Sequence, residues 1–109
     1  MIKDPTSSKW RSGDYKPIAS CSIEETALLS KTGRMFVEGF EVGMGNWVAI
    51  GGELPSGKQI EIIKYLDDPK TPEFVIRIDE AECAAQALVE ILQILNLHKD
   101  DLTWVSPET

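Results

Sequence analysis

Phe74, Ile76 and Ile78 alternate with Val75 and Arg77. This is the cleanest two-residue period in the chain, and it predicts a half-buried strand. A second strand is predicted over 59–66, where Ile60 and Ile62 alternate with Gln59 and Glu61. Ile63 breaks that alternation and points to a bulge or to burial on both faces. Met35–Val42 and Trp47–Leu54 are two further β-rich runs. Gly39, inside the first of them, signals a bulge or close packing. Gly43-Met44-Gly45-Asn46 and Pro55-Ser56-Gly57 read as turns, and Asp67 to Pro72 as a polar loop. Such short connections predict an antiparallel meander of about four strands.

The period changes to that of a helix after Ile78. Between Asp79 and Leu97 the polar residues Glu82, Gln86, Glu90, Gln93 and Asn96 fall within an arc of roughly 120°. Ala81, Cys83, Ala84, Ala85, Ala87, Leu88, Ile91, Leu92, Ile94 and Leu95 occupy the rest. Asp79 with Glu82 forms a capping-box pattern, and His98 and Lys99 stand at the negative end of the helix dipole. The pattern predicts a long C-terminal helix packed on the sheet. One sheet covers only one flank of it, so the other is expected to meet the N-terminal segment, the Trp104 tail or another chain. Cys83, on the apolar side, is expected as a small buried hydrophobe.

Ser22-Ile23-Glu24-Glu25 repeats the capping-box pattern. Ile23, Ala27 and Leu28 follow at helical spacing, and Gly33 can stop the chain in the left-handed region. The expectation is a short helix over 23–31, with a strand through 26–30 as the alternative. Residues 1–17 read as a polar tail with Pro5, Gly13 and Pro17, in which Trp10 is an anchor candidate. Near the other end, Leu102 and Trp104 alternate with Thr103 and Val105 as a short extended segment. The predicted organisation is a tail over 1–17 and a single α+β domain over 18–109. Its sheet has about four antiparallel strands in a meander, with a short N-terminal and a long C-terminal helix.

Charge narrows the function classes. The 109 residues carry a net charge of −7. Four basic against two acidic side chains leave the first 20 residues at +2, so the remainder holds −9. Such a body does not neutralise phosphates, which argues against nucleic acid, and it does not dock on anionic lipid. No apolar run reaches the roughly 20 residues of a membrane span, and no leader-like segment opens the chain. With two cysteines and no metal-spaced pair, the expected compartment is the reducing cytoplasm.

Candidate chemistry is thin. The one histidine, His98, is a helix-end residue rather than a general base. Carboxylates cluster at Asp67 and Asp68, at Asp79, Glu80 and Glu82, and at Asp100 and Asp101, without an EF-hand spacing. Gly43-Met44-Gly45 lacks the following helix of a phosphate loop. The expectation is no enzyme, no metal and no cofactor. Trp104 behind Asp100 and Asp101 suits an aromatic anchor ringed by acids, while Trp47, inside a strand, reads as core.

Small acidic α+β chains with an aromatic and acidic surface resemble the immunity proteins of bacterial toxin systems; the layout that carries the likeness runs from Met35 to Trp104. The resemblance implies a cytoplasmic inhibitor of a cognate basic toxin domain, often a nuclease. Asp67, Asp68, Asp100, Asp101 and Trp104 would form its partner-binding surface. An N-terminal helix, a strand block and a long C-terminal helix also resemble acidic secretion chaperones, which would make the chain a homodimer binding an effector protein.

Overall fold

The computed structural model describes Ile2, residues 14–67 and residues 73–109. Their order is β1 (Tyr15–Cys21), α1 (Glu25–Thr32), β2 (Val37–Glu41), β3 (Gly45–Glu53), β4 (Gln59–Tyr65), β5 (Phe74–Asp79), α2 (Ala84–Leu95), one 3-10 turn (Lys99–Asp101) and β6 (Leu102–Val105). The strands form one six-stranded sheet in the order β2-β3-β4-β5-β1-β6, every described pairing antiparallel. The expected four-strand meander is therefore corrected: β2 to β5 form it, and β1 and β6 extend it on the β5 side.

β1 takes in Tyr15, Lys16 and Pro17, which the sequence places in the tail. Proline has no N–H to give and disfavours a central strand except at a bulge. The register does shift between Pro17 and Ala19, and Ile18 between them is fully buried. A second shift, between Ser20 and Cys21, skips Thr103 on β6. It reverses the expected sidedness: Leu102 and Val105 both pack against the core, and Trp104 lies opposite Ser20. The Ser20 and Thr103 hydroxyls are bonded at 2.8 Å. Trp10 and Asp68 lie outside the described residues.

Both helices cover one face of the sheet. Val48, Ile50, Ile60, Ile62, Phe74, Ile76 and Ile78 meet Leu28 of α1 and Ala87, Leu88, Ile91 and Leu95 of α2 in a continuous core. On the other face Trp47, Ala49 and Ile63 form a second cluster with Tyr65 and Val75, to which neither helix contributes. Ile63 thus breaks the alternation because β4 is buried on both faces, and the β3–β4 and β4–β5 registers run without a bulge.

α2 is 12 residues long, not the 19 that the periodicity suggests. Asp79 ends β5, and its carboxylate accepts a hydrogen bond from the Ala81 N–H at 3.0 Å while its carbonyl accepts one from Glu82 at 2.9 Å. The acids read as a helix cap instead make the turn that leads into the helix. At the far end Asn96 is left-handed (φ 54°), and the Leu97 N–H reaches back to the Leu92 carbonyl at 3.0 Å. That six-to-one bond closes the helix before His98. The cation at this terminus is Lys31 of α1, whose Nζ donates to the Leu95 carbonyl at 2.6 Å.

Ala84, Ala87, Leu88, Ile91, Leu92 and Leu95 are buried along one stripe of α2. Of the second flank, expected to meet the N-terminal segment, the Trp104 tail or another chain, Ile94 packs against the core, whereas Ala85 is half-buried and Ala81, Cys83 and Val89 are exposed. Cys83 is the exposed N-cap rather than a buried hydrophobe, whereas Cys21 is buried. α1 begins at Glu25 after Glu24, without a side-chain cap, and closes on Gly33 at φ 70°.

Candidate functional site

The register brings the end of β4, the start of β5, the end of β1 and the start of β6 to one end of the sheet. Asp67, Asp100 and Asp101 stand at this end, all exposed, and Trp104 is two residues into β6. β4 and β6 are separated by β5 and β1, so Asp67 does not share a strand neighbour with the other two. The sequence did not single out Glu24 and Glu25 as site residues. Both are exposed and follow β1 at this same end.

The carboxylates differ in what they hold. Asp67 Oδ2 accepts from the Asn46 N–H at 2.8 Å and from Asn46 Nδ2 at 3.0 Å, which ties the β4–β5 connection to the start of β3. Gly45 is required beside it: a Cβ there would lie 2.6 Å from Asp67 Oδ2, and its φ is +89°. Asp101 Oδ2 accepts from the His98 N–H at 2.9 Å. Both carboxylates hold structural bonds, that of Asp101 local and that of Asp67 spanning 21 residues. Trp104 is 45% exposed on a strand paired with β1.

Two shallow clefts lie at this end among the described residues. One of about 450 Å³ is lined by Ser22, Ile23, Glu24, Glu25, Thr26 and Lys64, and one of about 250 Å³ by Cys21, Ser22, Ile23, Leu97 and Asp101. Among the described residues no three His, Cys, Asp or Glu side chains converge in a way that could hold a metal ion. No described helix is long and apolar enough to cross a membrane.

A clear electrostatic perturbation lies elsewhere, on the sheet face opposite the helices. Glu61 of β4 is 2% exposed and sits across from Arg77 of β5, with Oε1 3.5 Å from Arg77 Nη1. Arg77 Nη2 also donates to the Tyr15 carbonyl at 3.4 Å. Burial, then the charges of Glu61 and Asp79, push the Tyr15 hydroxyl up to about 12. A perturbed group can mark a site. Here the pair joins β4, β5 and β1 and reads as internal bracing. The sequence hides it because Glu61 and Arg77 are 16 residues apart and each looks like the solvent half of an alternating strand.

This perturbation has a pH signature. The folded chain holds the Tyr15 proton more tightly than the unfolded chain, whose tyrosine titrates near 10. Stability from this group is therefore intact below pH 10 and falls as pH rises through 12. Burial also raises the Cys21 thiol, which acts in the same direction. The urea midpoint should drop between about pH 8 and about pH 11, and Tyr15→Phe should lose less of it over the same interval. Equal losses in the two proteins would remove Tyr15 from the account.

No protein-family model, no curated protein and no solved structure matches the chain.

Proposed function

We propose that this chain is a non-enzymatic protein-binding protein, an immunity protein that binds and neutralises a cognate basic toxin domain. The observation that carries the reading is Trp104. It is a half-exposed indole on a strand hydrogen-bonded into the sheet, just after the exposed Asp100 and Asp101. A rigid aromatic anchor beside acids gives binding energy at the centre and charge complementarity at the rim. Asp67, Glu24 and Glu25 extend the acidic end, and the −9 of residues 21–109 favours encounter with a basic partner. Asp68 belongs to the same proposed surface by sequence alone. The chaperone-like reading asks the apolar helix to pair across a two-fold axis, and α2 spends its apolar stripe inside the chain.

Isothermal titration of the full chain against a panel of basic toxin domains tests the proposal. The expected result is one partner bound at about micromolar or tighter, with affinity falling as salt rises. Binding no tighter than about millimolar to every member would overturn it.

A further inference from the structure

Six of the large hydrophobic side chains that the structure leaves exposed lie at one edge of the sheet. Met35, Val37, Phe40, Val42 and Met44 are on β2 or its flanks, and Leu66 is bonded beside them through its N–H to the Asn46 carbonyl at 2.8 Å. Val42 is 90% exposed and Phe40 68%. β2 is an edge strand, paired with β3 alone among the described residues. Edge strands are ordinarily blunted by lysine or proline. From Met35 to Met44 there is neither, only Glu38 and Glu41, and Glu41 already accepts from the Tyr65 hydroxyl at 2.7 Å.

We infer that β2 pairs with β2 of a second copy of this chain, antiparallel about Gly39, to make a homodimer with one continuous sheet. Area favours this occupant, and the register permits it. Centred on Gly39, the pairing sets Glu38 against Phe40 of the partner subunit and Val37 against Glu41 of the partner subunit. Centring it on Glu38 or on Glu41 would oppose like charges, which destabilises a sheet. The exposed apolar surface is on the order of 600 Å² per copy, the upper end of what a monomer leaves bare. Two such patches offer at most about 1,200 Å², against the roughly 1,000 Å² that a specific interface needs. The Trp104 surface stays open, because β6 is the opposite edge, five strand spacings or about 24 Å away. The dimer therefore leaves the Trp104 end free, while Asp67, which follows Leu66 and is bonded to Asn46, lies beside the dimer edge.

Sedimentation equilibrium of the full chain tests this across a concentration series, in low and in high salt. The expected mass moves from 12.1 kDa toward double that value as concentration rises. Salt should favour the dimer, because each copy carries −7 and screening relieves the repulsion. That salt effect has the opposite sign to the one expected for a basic partner. Phe40→Lys and, separately, Val42→Lys should weaken dimerisation by about 30-fold or more with the thermal midpoint kept, and Trp104→Ala should leave it intact. A 12.1 kDa mass up to about 1 mM, or a dimer undiminished in both lysine variants, would overturn the inference. A monomer whose β2 amides become protected from exchange only on adding a basic domain would also overturn it, and would assign the edge to that partner.

Discussion

Ile91→Asp should abolish the cooperative thermal transition and leave no folded protein at 25 °C. Ile91 is fully buried at the centre of the α2 stripe, between Leu88 and Leu92 and against the sheet. Removing the isoleucine forfeits about 2–5 kcal/mol of packing. An aspartate there adds an uncompensated charge, which costs several kcal/mol more even after its pKa rises. The sum is comparable to the roughly 5–15 kcal/mol that holds a domain of this size. Far-UV circular dichroism against temperature checks this. A variant that melts cooperatively within a few degrees of the parent would mean that the α2 face is not core.

Gly39→Ala should destabilise the protein by about 1–3 kcal/mol although it adds a single methyl group. The cause is the Trp47 indole, which lies across Gly39: a Cβ at that position would come within 2.1 Å of the ring. Trp47 is 8% exposed and packed with Ala49 and Ile63, so the ring has little room to move. The expected midpoint drop is roughly 4–8 °C per kcal/mol for a domain near this size. It should come with a red shift of tryptophan emission as the displaced ring meets water. An unchanged midpoint would show that the indole repacks freely and that the second cluster is soft. Gly39 was ambiguous in sequence between a bulge and close packing. The β2–β3 register runs without a shift, so close packing is the reason for the glycine.

Legibility followed the range of the interactions involved. The alternation over 74–78 is local and became β5, and Gly33 stopped α1 because a left-handed stop needs only one residue. β1 was hidden because its proline sits at a bulge that exists only once β5 and β6 flank it. The skipped Thr103 hid the sidedness of β6 in the same way. The overlong helix came from Asp79 and Glu82, whose spacing suits a cap or a turn equally well, and only the end of β5 decides between them. At the candidate site, the alternation of 102–105 puts Trp104 on the side of Leu102, and the shift at Thr103 separates them, leaving Trp104 45% exposed. The bonds that engage Asp67 with Asn46, 21 residues away, and bury Glu61 against Arg77 depend on strand pairing that no local pattern announces.

The central claim is that the end of the sheet bearing Trp104 and Asp100 is the partner-binding surface. The most direct test is the affinity of an Asp100→Lys, Trp104→Ala variant for a basic toxin domain that the parent chain binds. Both side chains are exposed, so the thermal midpoint should hold. The account predicts a loss of affinity of about 30-fold or more, the scale of an anchor residue. Undiminished affinity in a folded variant would contradict it.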